Sequence, residues 1–322
     1  MKRIGNLYYK IAEMDNIRLA YKKARQNKSG SYGVRLFDLD RENNLVQIQR
    51  ELMEGTYTTG EYHVFKIYEP KERDISRLDF RHRVVHHAVM NILEPIWVKV
   101  FAADTYSCIK GRGIHQGLAR LKEALKDRQG TAYCLKIDVS KFYPSIDHGV
   151  LKGLLRRKLK DQKLLKLLDG IIDSAVGLPI GNYLSQFFAN LQLAYFDHEV
   201  KEAIGVKYYF RYCDDMVFLS GSKGSLREIL EAVTEKLSAL KLKIKPNYQI
   251  FPVDSRGIDF LGYVARHEYV LMRKSIKKAF YKKRNSEASV AAYWGWAKHC
   301  DSKNLVSTLL KDKDYAFIKH SA

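Results

Sequence analysis

The chain has only four cysteines, Cys108, Cys134, Cys213 and Cys300, and they are widely scattered. No two stand in a Cys-x-x-Cys spacing, which excludes a zinc ribbon and a disulfide framework and makes a reduced compartment the expectation. No uninterrupted apolar stretch approaches the length of a membrane span. The opening residues MKRIGNLYYKIAEMD hold no apolar h-region, so a cytoplasmic protein without membrane attachment is expected. Internal repeats and low-complexity linkers are also missing. Acidic residues are scarce: 36 Asp and Glu face 56 Lys and Arg, a formal charge of +20 and a pI near 9.6. With 21 Tyr and 14 Phe, that excess is the footprint of a protein that holds a phosphate backbone and stacks bases. At 46% hydrophobic residues in 322, the chain is globular, with room for about one to three domains.

One stretch organises the rest. Residues 208–220, YYFRYCDDMVFLS, alternate as two short strands with Cys213-Asp214-Asp215 as the turn. Two adjacent carboxylates at the tip of an apolar hairpin repel each other, and a divalent cation with hard oxygen ligands would remove the repulsion. An Asp-rich hairpin turn is also a common structural device, so the reading needs support from elsewhere. Residues 132–147, AYCLKIDVSKFYPSID, supply it. A strand over Ala132 to Val139 ends in Asp138, which faces away from the apolar positions. One carboxylate at a strand end beside two on a hairpin is what a two-metal phosphoryl transfer needs.

The remaining chain reads as mixed helix and strand. Helical spacing covers residues 6–26, 41–54, 80–93, 150–172 and 226–240, with turn-prone residues 27–33 after the first. Strands are expected within 55–69, at 248–253 and at 258–264, the last two completing the sheet around Asp138. Lys71 and Arg73, two apart on a turn, have the spacing to grip a triphosphate. Gly111-Arg112-Gly113 opens a helix whose backbone N–H groups would admit a phosphate, although a short Gly-Arg-Gly is equally an ordinary loop. His82 and His86 stand at i, i+4 with no third metal ligand at a suitable spacing. Residues 273–284, RKSIKKAFYKKR, interleave cations with apolar and aromatic residues. Within this run Lys274, Lys277, Lys278, Lys282 and Arg284 are expected to hold nucleic-acid backbone. Tyr293, Trp294 and Trp296 are expected as core of the same region.

The order from Pro70-Lys71 through Asp138, the Leu178-Pro179-x-Gly181-x-x-x-Ser185 turn and Tyr212-Cys213-Asp214-Asp215 resembles the reverse transcriptases. Phe260-Leu261-Gly262-Tyr263 is similar to their primer-grip hairpin. Within the superfamily, Ile180-Gly181-Asn182-x-x-Ser185-Gln186 and the run Arg83-Val84-Val85-His86-His87-Ala88 resemble the enzymes of diversity-generating retroelements. A Val-Thr-Gly expected of retron enzymes is not found, and group II intron maturases continue into regions not seen before Ala322. His82 and Gln192 depart from the subgroup's pattern.

The resemblance implies an α+β right-hand polymerase. Residues 1–130 would be mostly fingers, 131–265 mostly palm with a finger segment near 150–185, and 266–322 thumb. It implies catalysis by Asp138, Asp214 and Asp215, with two Mg²⁺ ions held by these and the Val139 carbonyl. Lys71, Arg73, Ile180, Gly181 and Gln186 would contact the incoming nucleotide or template, and Tyr143 would be the steric gate against a ribose 2′-hydroxyl. Template RNA, primer or cDNA, and dNTPs are the implied partners, with a small basic oligomeric accessory protein, in a bacterial or phage-encoded setting. The product would be adenine-mutagenised cDNA copied from a template-repeat RNA. A faithful reverse transcriptase of a retron, CRISPR or defence system, and a noncatalytic RNA-binding scaffold, stay open as alternatives.

Overall fold

A computed structural model describes residues 3–68 and 72–309. Among the described residues there are nine strands: β1 (His63–Ile67), β2 (Arg73–Arg77), β3 (Tyr133–Asp138), β4 (Tyr208–Tyr212), β5 (Asp215–Ser220), β6 (Gln249–Pro252), β7 (Ile258–Phe260), β8 (Tyr263–Ala265) and β9 (Val270–Met272). All pairings within sheets are antiparallel, and helices fill the intervals, so the architecture is α+β. The chain folds as two compact units. The first runs up to Ala102, resumes over Val139–Glu199 and takes in Glu235–Lys243; the second holds Ala103–Asp138, Val200–Thr234 and the chain from Ile244 onward.

The second unit is built on a four-stranded sheet in the order β4-β5-β3-β6. Its strands are short and apolar because both faces are covered: Tyr209, Phe210, Met216, Val217, Phe218 and Leu219 are all buried. Helix Ile114–Ala124 presents Leu118 and Leu121 to the same core as Phe210, Val217 and Leu219. β6 joins this sheet as expected, but residues 258–264 do not. They split into β7 and β8, which form a separate three-stranded sheet with β9. The reason is a two-residue reversal, Leu261 at φ +54° and Gly262 at φ +85°, the primed-turn geometry that folds a strand back on itself. At Gly262 a Cβ would stand 2.4 Å from the Trp296 ring, so the turn also depends on close approach.

The first unit is largely helical. Helix Met14–Arg25 packs on Phe80–Trp97, burying Ile17, Ala20 and Ala24 on one side and Val84, Val85 and Ala88 on the other. Two expected helices are each divided in two. Residues 6–26 form Tyr8–Ala12 and Met14–Arg25, with Glu13 extended at φ −62°, ψ 136°. Asn16 donates to the carbonyls of Ile11 (2.9 Å) and Ala88 (3.1 Å), satisfying an acceptor that the break leaves open. Residues 150–172 form His148–Lys158 and Gln162–Ile172. There Asp161 accepts from the N–H of Leu164, Leu7 and Tyr8, capping two helices at once. A short helix, Tyr32–Asp38, also begins inside the turn-prone segment. No helix among the described residues is long and apolar enough to cross a membrane.

Candidate active site

β4 and β5 are joined by two residues, Cys213 and Asp214, since Tyr212 pairs with Asp215. Asp215 therefore opens β5 and is not part of the turn itself. Cys213 takes the left-handed conformation at φ +56° that so tight a reversal needs. β3 lies beside β5 in a register that sets Asp138 directly opposite Asp215. Like charges facing each other across an antiparallel pair destabilise a sheet, so three carboxylates at one sheet end require compensation.

Two lysines provide part of it. Lys245 Nζ lies 2.7 Å from Asp138 Oδ1, and its backbone N–H donates to the Asp138 carbonyl at 2.8 Å. Lys136 Nζ lies 3.2 Å from Asp215 Oδ2 and also donates to the Asp259 carbonyl. Sequence reasoning missed both. Lys136 had a signal, because residues 136 and 138 share one face of a strand by its two-residue period; Lys245 had none. Burial and then the Asp138 charge push the Asp214 carboxyl up to about 6. Burial likewise raises Asp215, against the lowering effect of Lys136. Beneath the turn, the fully buried Arg211 donates from Nη1 to the Cys213 carbonyl at 2.9 Å.

Among the described residues, no three His, Cys, Asp or Glu side chains close on a single point. Asp138 and Asp214 are the interacting pair, while Asp215 turns one oxygen to Lys136. Its other oxygen, Oδ1, is buried with no hydrogen-bond partner in the described structure. An orphaned carboxylate oxygen beside a mutually repelling pair fits a hard divalent cation such as Mg²⁺, whose shell water and phosphate complete. Asp138 and Asp214 would be its main holders; Val139 follows Asp138 on the chain and is buried.

The expected nucleotide contacts lie in the first unit. The turn over 177–181 ties them together. The N–H of Leu178 donates to the Tyr143 carbonyl at 2.9 Å, and the N–H of Ser76 in β2 donates to the Ile180 carbonyl at 2.7 Å. Arg73, exposed, stands at the start of that same β2; Lys71 lies outside the described residues. Gly181, at φ +108°, would with a Cβ meet Ile75 at 2.8 Å and the Ser76 carbonyl at 3.0 Å. Gln186 is exposed on the first turn of helix Tyr183–His198. The three histidines are buried and pushed down by burial, His86 to about 3 and His87 to about 4. His82 bonds the Tyr57 hydroxyl at 2.9 Å, and His87 stacks on Tyr183 at 4.0 Å, so both have structural partners.

Gly177 is the tightest point of that turn. At φ +59°, its Cβ would stand 2.6 Å from the carbonyl oxygens of both Tyr143 and Pro144. Gly177→Ala is expected to destabilise the chain by more than about 1 kcal/mol. Gly170 sits in helix Gln162–Ile172 with open space around it, so Gly170→Ala should stabilise by roughly 0.5–1 kcal/mol. Thermal melts of the two variants check this, and equal shifts would contradict it.

The basic run forms helix Lys274–Lys283, with Lys274, Lys278 and Lys282 exposed and Lys277 and Arg284 half-buried. Phe280 anchors it, fully buried and stacked on Tyr293 at 4.9 Å. Trp296 packs elsewhere, at 5.3 Å from Tyr263. Arg112 precedes helix Ile114–Ala124, whose N-cap position is Gly113.

A family model described as reverse transcriptase (RNA-dependent DNA polymerase) matches residues 68–265, the span that holds β2, the 177–181 turn and all three aspartates. The chain is 24% identical to Protein YkfC of Escherichia coli K12, across 76% of this chain and 79% of that one. It is 25% identical to the Retron Ec73 reverse transcriptase of Escherichia coli, across 65% and 72%. The Group II intron-encoded protein LtrA of Lactococcus lactis is 26% identical across 58% of this chain, which spans only 34% of LtrA. Among solved structures, telomerase from Candida albicans superposes with a TM-score of 0.52 at 9% identity, across 83% of this chain and 59% of that one. That likeness is one of fold.

Proposed function

The chain belongs to the reverse transcriptase family, the RNA-directed DNA polymerases, and from that premise we propose that it copies a template-repeat RNA into adenine-mutagenised cDNA. The polymerase reading rests on one observation: Asp138 faces Asp215 across β3 and β5, with Asp214 at the two-residue turn beside them. The mutagenic reading rests on Ile180-Gly181-Asn182-x-x-Ser185-Gln186. Its relatives among retron and group II intron proteins favour the second reading, a faithful reverse transcriptase, equally well.

When bound, a pair of Mg²⁺ ions would lower the pKa of the primer 3′-hydroxyl and neutralise the leaving pyrophosphate. Asp138 and Asp214 would hold them, with Asp215 and the Val139 carbonyl assisting. Arg73 and Lys71 would orient the triphosphate, and the Tyr143 ring would exclude a ribose 2′-hydroxyl. Fingers over 1–130, palm over 131–265 with a finger segment near 150–185, and thumb over 266–322 complete the assignment. Lys274, Lys277, Lys278, Lys282, Arg284 and Arg112 would hold the template–primer backbone, giving affinity that falls with salt. A small basic oligomeric accessory protein would bind with the structured RNA.

Primer extension on a defined RNA, followed by sequencing of the cDNA, tests the proposal. Errors concentrated opposite template adenines are expected; accurate cDNA would establish the faithful reading instead. Ile180 is the assigned source of part of the error. Its carbonyl accepts from the Ser76 N–H, a backbone bond that a changed side chain leaves available. A Gln would restore a hydrogen bond worth about 0.5–1.5 kcal/mol, and Ile180→Gln should lower adenine errors several-fold. An unchanged error rate at adenine would remove Ile180 from the account.

A further inference from the structure

Two thiols stand at the turn that carries Asp214. Residues 104–106 run parallel to β4: Thr105 bridges Arg211, whose N–H donates to the Asp104 carbonyl at 2.9 Å, and the N–H of Tyr106 returns to the Arg211 carbonyl at 3.0 Å. Continued forward, that parallel register lays Ser107 alongside Cys213, with Cys108 one residue farther on. Ser107 Oγ lies 3.4 Å from Cys108 Sγ and 3.6 Å from Cys213 Sγ, so the sulfurs are no farther apart than the sum of those distances. Strands about 4.8 Å apart with a rise of about 3.3 Å per residue put such a diagonal pair of Cα atoms roughly 5.8 Å apart, inside the roughly 4.4–6.8 Å that a disulfide requires. Cys108 is exposed and Cys213 partly so, which gives a soluble oxidant access to both. Both backbones are left-handed, at φ +54° and +56°, a conformation held only where the surroundings enforce it.

We propose that Cys108 and Cys213 form a reversible intramolecular disulfide that displaces the Asp214 turn and shuts off the polymerase. The oxidant is a peroxide. One thiolate attacks a peroxide oxygen, the O–O bond breaks, and a sulfenic acid and one water result. The second thiolate attacks that sulfur, the S–S bond forms, and the oxygen leaves as a second water. Two thiols and one peroxide thus give one disulfide and two waters; a dithiol reverses the bond by exchange. Burial raises the Cys108 thiol, so the reaction is slow, on the order of minutes to hours. Its effect on activity rests on the polymerase reading; the bond does not. Asp214 is the next residue after Cys213, and Arg211 holds the Cys213 carbonyl from below, so a new tether on Cys213 moves the carboxylate against Asp138.

The test treats the full chain with hydrogen peroxide, blocks remaining thiols, digests it and maps peptides by mass spectrometry, with primer extension run on the same sample. A peptide pair joining Cys108 to Cys213 is expected, short by two hydrogens. Extension should fall by on the order of 10²-fold and recover with dithiothreitol. Cys108→Ser should form no such pair and keep its activity through peroxide. No joined pair at excess peroxide would overturn the proposal, as would a joined pair with extension unchanged or a Cys108→Ser variant inactivated like wild type. A reduced, untreated chain that extends no primer would sink the polymerase reading and the switch with it, while the peptide map still decides the disulfide.

Discussion

Asp214→Asn should lower nucleotide incorporation by about three orders of magnitude while leaving the fold intact or stabilising it. The two effects have one cause. In the metal-free chain, burial and Asp138 raise the Asp214 carboxyl from its ordinary 3.8 to about 6. A carboxyl raised in the folded state favours folding below its unfolded value, and that contribution is lost as pH rises through 6. At neutral pH the ionised Asp214 is therefore a liability, which Asn removes. Without metal, the variant should melt at or above the wild-type temperature at pH 7.5, and the difference should close as pH falls toward 4. Added Mg²⁺ should raise the wild-type melt more than the variant's. A variant that extends primers at the wild-type rate, or melts well below wild type, would contradict the assignment of Asp214 as a metal-holding carboxylate.

Tyr143→Ala carries the second large effect. Its carbonyl is fixed by Leu178 and shielded by Gly177, and the Phe142 ring meets its own edge-on at 5.7 Å. The Leu178 N–H holds the Tyr143 carbonyl whatever the side chain, so Tyr143→Ala keeps that bond of the turn. If the ring excludes the 2′-hydroxyl, its loss should raise ribonucleotide use relative to deoxynucleotide by about 10²-fold. The ratio of kcat/KM values for rGTP and dGTP measures this directly. A ratio unmoved by the truncation would take the gate away from Tyr143.

The part of the site that was legible lay in short-period patterns. Residues 208–220 are two short β-prone apolar runs, buried at consecutive positions, around a tight turn, and Asp138 ends a third such run, so the strands and all three carboxylates could be read locally. What could not be read depends on groups far apart in sequence. Lys245 reaches Asp138 across 107 residues, and nothing around it marks it as a counter-ion. The helices over 6–26 and 150–172 divide although their apolar periodicity continues, and the bonds at the breaks reach in part to distant residues, Asn16 to Ala88 and Leu7 to Asp161. Leu261 adopts φ +54° under the demand of its hairpin, so the pattern alone read one strand over 258–264, while the primer-grip resemblance of Phe260-Leu261-Gly262-Tyr263 did place a hairpin there. Arg211 had a visible signal that went unused: a charge in the middle of an apolar strand needs a buried partner, and it finds the Cys213 carbonyl.

The most direct measurement is extension of a labelled DNA primer on a defined RNA by the wild-type chain, with dNTPs and Mg²⁺ and then with the metal chelated. The account predicts cDNA that requires Mg²⁺ and that Asp138→Asn abolishes. No extension by a folded chain that binds the template–primer, or extension that survives Asp138→Asn, would contradict it.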